Sequence, residues 1–191
     1  MLIDKNLTLR PHIDHIASKI SKIVGIISSQ LRHHVPLNTL IQIYRSLIFP
    51  YTLYRIPVWG QASEDDLKKI LVLQKRALPH AIPLFIASNI VPVNMLYFET
   101  VSTIMHDVST SSTPRNIREL FIHSSQVHAY NTRFSSADNF YVQKSRLHVI
   151  LKSFSAFGTR LWNCLHPDWR KLTERALKRK IHKLLLTVLG I

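Results

Sequence analysis

The side chains of this sequence with the most chemistry to offer are an acidic pair, Asp65-Asp66, a histidine pair, His12 and His15, and one cysteine, Cys164. Paired aspartates can hold the divalent ions of nucleotidyl transfer. These two follow Ser63 and Glu64, and neighbours on a helix diverge by about 100°, so the run reads as the acidic first turn of a helix capped by Ser63. His12 and His15 share a helical face, as two metal ligands would, but no acid or thiolate stands in register to complete a set. Ordinary surface or interface histidines are expected there, and the same holds for His33-His34. Cys164, between Asn163 and Leu165, shows no triad order and is expected as a small core residue. As the only cysteine, it excludes an intramolecular disulfide and any zinc site built on two thiolates from this chain. Trp59, Trp162 and Trp169 can stack on bases, yet their contexts favour core anchors.

The basic residues make the better functional case. Lys68, Lys69, Lys75 and Arg76 recur at offsets that gather them opposite an apolar face. Lys19 and Lys22 do so in an earlier helix, and Arg170, Lys171, Arg175, Lys178, Arg179, Lys180 and Lys183 crowd the C-terminal end. Such clusters neutralise phosphates and release condensed counterions. The plain alternative is a set of solvated helix faces.

Helices must position these groups. From Pro11, Ile13, Ile16, Ala17, Ile20, Val24, Ile27 and Leu31 repeat at three- and four-residue intervals, and Pro36 ends the segment. In the central stretch from Leu37 to Leu78, Leu40, Ile43, Tyr44, Leu47, Ile48 and Tyr51 form one broad apolar face, with a kink or break expected near Phe49 because Pro50 lacks an N–H. An aromatic cluster of Tyr51, Tyr54 and Trp59 leads to a turn at Gly60. Leu67, Ile70, Leu71, Ala77 and Leu78 then mark the buried side of the helix begun at Ser63. Pro79, Pro83 and Pro92 argue against continuous helix before Asn94. Asn94–Val108 is a further amphipathic helix, Ser109–Thr113 a polar linker, and Pro114–Phe121 a short helix. Val127–Tyr141 reads as loops or a small hairpin. Leu172–Leu189 closes the chain as a basic amphipathic helix with Leu177, Ile181, Leu184, Leu185 and Val188 on one side.

Tyr44-Arg-Ser-Leu-Ile-Phe-Pro-Tyr51, Val58-Trp59-Gly60 and Leu73-Gln-Lys-Arg-Ala-Leu78 resemble the segment that follows the catalytic palm in reverse transcriptases of non-LTR (LINE-type, jockey-like) retrotransposons. Leu2-Ile3-Asp4 with His12-Ile13 resembles the junction leaving the palm, while Tyr130-Asn-Thr-Arg133 and Gly158-Thr-Arg-Leu-Trp-Asn163 resemble the family's C-terminal tail. The order of these short motifs makes the likeness more specific than any one of them. There are departures: the helix after Leu78 is shortened, Leu9 stands where members often carry Trp, and Arg55 where they often carry Gly. The resemblance implies a residual palm end over residues 1–10, a helical thumb-like region over 11–108, the linker at 109–113, and a tail over 114–191. It adds Arg133 to the nucleic-acid-binding candidates. It also implies that the aspartates which would hold Mg ions in the intact parent lie in the missing palm, so no cofactor and no polymerase activity are expected of this chain alone.

Composition agrees with a folded, polyanion-seeking protein. The chain has 191 residues, 46% of them apolar, and 25 Lys and Arg against 11 Asp and Glu give a formal charge of +14. That favours a polyanionic partner, nucleic acid ahead of an anionic membrane surface; the resemblance implies that this partner is RNA or an RNA–DNA hybrid, held through phosphates, with no small-molecule substrate. No apolar run reaches about 18 residues and no leader pattern opens the chain, so an intracellular, soluble protein is expected. The fold expected is mainly α, a small helical bundle followed by a looser C-terminal region. Two other readings stay open: a basic helical module for proteins or anionic membrane surfaces, and a product of a decayed element with no function.

Overall fold

A computed structural model of the chain describes residues 2, 5, 9–31, 34–78, 81–127, 138–146, 150–151 and 153–190. The fold is mainly α-helical, and among the described residues the only β-pairing is a lone antiparallel bridge between His123 and Phe140. Contacts divide the chain into two units, residues 1–97 with 182–191, and residues 98–181.

In the first unit, α1 (Arg10–Ile26) has Pro11 in its opening turn, where a missing N–H costs nothing, and buries Ile13, Ile16, Ile20 and Val24 along one stripe. It packs on α5 (Glu64–Ala77), which buries Leu67, Ile70 and Ala77. Arg10 meets Asp66 at 3.4 Å and Asp14 meets Lys69 at 2.6 Å. Residue numbers therefore rise together along the contact: the two helices run parallel, and the intervening chain must cross from the end of one to the start of the other.

That crossing consists of α2 (Leu37–Ile43), a π-helical turn over Tyr44–Ile48, α3 (Phe49–Leu53) and α4 (Ile56–Trp59). The expected break at Phe49 takes the form of the π turn. The Phe49 N–H reaches the Tyr44 carbonyl, five residues back, so the widened turn absorbs the proline that follows. It also resets the buried face. Leu40, Tyr44, Ile48, Thr52 and Ile56 go in at four-residue steps, while Leu47 and Tyr51, expected inside, are turned out. The chain breaks at Arg55, which adopts a left-handed conformation (φ 54°, ψ 29°). Trp59 is fully buried, its indole N–H donating to the Tyr54 carbonyl at 2.7 Å.

A seven-residue helix, α6 (Ala81–Ala87), spans Pro83 because that proline sits in the first turn. Next comes α7 (Val93–Ser109). Its start is tied to the centre of the first unit by Gln74, whose amide donates to the Tyr44 hydroxyl at 2.7 Å and accepts from the Val93 N–H at 2.9 Å.

The second unit takes up α7 from Phe98. Its polar end at Ser109–Thr113 is a tight turn: Ser111 is left-handed (φ 59°) and the Ser112 N–H returns to the Asp107 carbonyl at 2.8 Å. Short helices α8 (Arg115–Arg118) and α9 (Ser124–Val127) follow, then α10 (Phe154–Cys164), α11 (Pro167–Arg170) and α12 (Glu174–Leu189). The hairpin expected over Val127–Tyr141 falls largely on residues 128–137, outside the described residues. Trp162 is buried against Phe140 and His106. Asn163 pairs with both backbone groups of Phe140, at 3.0 and 2.8 Å, as a strand would. Cys164 is exposed rather than in the core: two residues beyond inward-facing Trp162, it lies about 200° round the helix. The halves of α12 belong to different units, and their buried sides differ. Leu177 and Ile181 are buried in the second, Leu186 in the first, leaving Leu184 and Val188, expected inside, exposed.

Candidate nucleic-acid interface

The acidic run at the start of α5 caps the helix. Ser63 Oγ accepts from the Asp66 N–H at 3.2 Å and donates to the Asp66 carboxylate at 2.8 Å. Burial pushes the Asp66 pKa up, but the Ser63 hydrogen bond, Lys69 and Arg10 together hold it below the usual carboxylate range. Asp66 is thus committed to internal partners. No group of three His, Cys, Asp or Glu side chains among the described residues is placed to hold a metal.

The basic candidates sort into three kinds. Lys19 and Lys22 on α1 and Lys68 and Lys75 on α5 are exposed. Seven residues separate the α5 pair, which returns them to within about 20° of one another on the helix. Arg76 is exposed too, and seven residues from Lys69. Lys69 is different: its ammonium lies 2.6 Å from Asp14 and 3.0 Å from Asp66, and those hydrogen-bonded carboxylates raise its pKa. It joins α5 to α1 as well as adding charge.

In the second unit Lys171, Arg175, Lys178, Arg179 and Lys180 are exposed, and Lys180 lies over the Trp169 ring at 4.6 Å. Lys183, in the first unit, is exposed as well. Arg170 is the exception. It donates to the Leu165 and Asn163 carbonyls and to the Asn139 side chain at 2.9–3.0 Å, and stacks over Trp162 at 5.7 Å. Burial lowers its pKa. A guanidinium held this way organises the fold around Asn163 and has little left for a phosphate. Arg133 lies outside the described residues.

Sequence reasoning passed over Asp14 as a neutraliser of Lys69. Nothing in the local pattern shows that contact, since the partners are 55 residues apart. The Asp66–Lys69 pair was legible, because three residues on a helix is contact spacing. Among the described residues, no helix is long and apolar enough to cross a membrane.

Compared with known proteins, the chain is 30% identical over 82 residues to the RNA-directed DNA polymerase from mobile element jockey of Drosophila funebris. The match takes in 41% of this chain and spans 9% of that polymerase. No family model and no solved structure matches. The chain therefore contains a region related to a retrotransposon reverse transcriptase.

Proposed function

We propose that the chain is a non-catalytic piece of a LINE-type reverse transcriptase, a thumb-like helical region with its tail, that grips RNA or an RNA–DNA hybrid through phosphates. The observation that carries this reading is the parallel pair of helices α1 and α5 presenting Lys19, Lys22, Lys68 and Lys75 to solvent on a chain of charge +14. The likeness to the jockey polymerase supports it from another direction. Contacts of this type follow the backbone and the A-form shape and discriminate little among sequences. The paired carboxylates that phosphodiester chemistry requires belong, in this reading, to the palm of the parent enzyme.

Two assays test it. Binding of a fluorescent RNA–DNA hybrid should weaken steeply and log-linearly with salt, and a flat response would refute phosphate neutralisation. Primer extension by the purified chain with Mg2+ and deoxynucleotides should yield no template-dependent product.

One observation favours a second reading. Leu184 and Val188, one helical turn apart on α12, are exposed beside Lys183, the arrangement of a helix that lies on an anionic membrane. Sedimentation with anionic vesicles, lost when Leu184 and Val188 become Ser but unaffected by competing RNA, would establish it instead.

A further inference from the structure

His12 is the unexplained group of the first unit. It is 5% exposed, its ring meets Trp59 edge-on with centroids 6.4 Å apart, and both ring nitrogens are buried without a hydrogen-bond partner. Polar atoms withdrawn from water in this way cost stability unless something pairs with them. Burial, the largest influence, lowers its pKa, and the positive charge of Arg55 acts in the same direction. At neutral pH the ring is therefore uncharged and offers one donor and one acceptor.

The ring lines a cleft of about 490 Å3 between α1 and α3, together with His15, Pro50, Tyr51 and Tyr54. That volume is in the range of small-ligand pockets, roughly 300–1,000 Å3. Tyr51 is 38% and Tyr54 54% exposed, so flat aromatic walls face solvent, and the Arg55 guanidinium stacks on Tyr54 at 5.2 Å. It is the π turn that swings Tyr51 out to this place.

His12, His15, Lys19 and Lys22 are spaced three, four and three residues apart, hence form one stripe along α1. At 1.5 Å per residue, the two lysines stand about 6 and 10 Å beyond His15 along the axis. An aromatic cleft with an unpaired imidazole at its wall thus opens at one end of a cationic track.

We propose that this cleft receives a single unpaired nucleobase from a strand whose phosphates run along Lys19 and Lys22. The base stacks on the exposed rings of Tyr51 and Tyr54, next to the wall that His12 closes. Stacking of this kind tolerates any base, since every base has a π face. A peptide segment would satisfy the apolar walls but not the lysine track. The proposal rests on the phosphate-binding reading above.

The test compares two RNA–DNA duplexes, one with a single bulged adenosine and one with an abasic residue at the bulge. The chain should bind the first about tenfold more tightly, within the range for one stacked base. Tyr51→Ala should bring the bulged duplex down to the affinity of the abasic one, whereas Lys19→Gln with Lys22→Gln should weaken both by the same factor. Equal affinities in the unaltered chain, or a preference that survives Tyr51→Ala, would overturn the base pocket while leaving phosphate binding intact. If neither duplex binds, the phosphate reading has failed. The cleft is then judged by titrating adenosine against the ring resonances of His12 in NMR, where a saturable shift sustains it and an unmoved signal ends it.

Discussion

Gln74 shows how a motif residue can matter without touching any ligand. It stands in Leu73-Gln-Lys-Arg-Ala-Leu78 and Tyr44 opens the earlier motif, and the two meet with neither side chain exposed. Burial drives the Tyr44 pKa well above that of an ordinary tyrosine, against the pull of the Gln74 hydrogen bond, so the hydroxyl stays protonated. Gln74→Leu would strand that hydroxyl and the Val93 N–H together. The expected cost is about 2–6 kcal/mol, twice the roughly 1–3 kcal/mol of one buried unsatisfied group, measured by urea unfolding. His12 supplies a pH prediction. Burial holds its pKa in the fold below the ordinary histidine value of 6.5, so the unfolded chain takes up the proton first and stability drops as pH falls through about 6.5. Urea midpoints at pH 7.5 and 5.5 should differ, with a smaller difference in His12→Phe. Equal pH sensitivity in the two proteins would place the effect at another group.

Where the elements begin and end, single residues set the geometry. Arg55 ends α3 in the left-handed region, which costs a side-chain-bearing residue about 1–2 kcal/mol, offset in part by the roughly 0.5–1 kcal/mol of extra chain entropy a glycine loses on folding. Arg55→Gly should therefore stabilise the chain by up to about 1 kcal/mol, a change visible in thermal or urea unfolding. Gly60 is required for a different reason: a Cβ there would lie 2.6 Å from the Tyr97 ring and 2.7 Å from the Ile56 carbonyl. At the other end of the turn, Ser63→Ala removes the cap of α5 and should cost about 1 kcal/mol. Asp66 would lose its hydrogen bond from the same hydroxyl, raising its pKa toward the ordinary value.

For the molecule as a whole, the proposed function rests on charge. With +14 formal charges, replacing one lysine leaves net attraction nearly intact, so single substitutions should change the salt dependence more clearly than the affinity. Each of Lys19→Gln, Lys22→Gln, Lys68→Gln and Lys75→Gln should lower the slope of log K against log salt by about 0.9 if that lysine contacts a phosphate. Arg170→Gln should instead lower the thermal stability, because its donors serve the carbonyls of Leu165 and Asn163. A slope change without loss of stability at Arg170 would return it to the binding surface.

Most of the helical pattern was legible in the order of residues. The stripe from Ile13 to Ile27, the Ser63 cap and the cationic sides of α1 and α5 follow from local spacing, because a helix converts sequence separation directly into angle. Three features were beyond that reach. The π turn at Tyr44–Ile48 shifts the angle by a residue, and so puts Tyr51 at the surface rather than in the core. The contacts of Lys69 with Asp14 and of Gln74 with Tyr44 join residues 55 and 30 positions apart. Arg170, one cation among many in the sequence, is committed internally by carbonyls and rings that only packing brings to it. Local periodicity says which way a side chain points along its own helix. What it meets there depends on how distant helices are laid together to cover their apolar stripes.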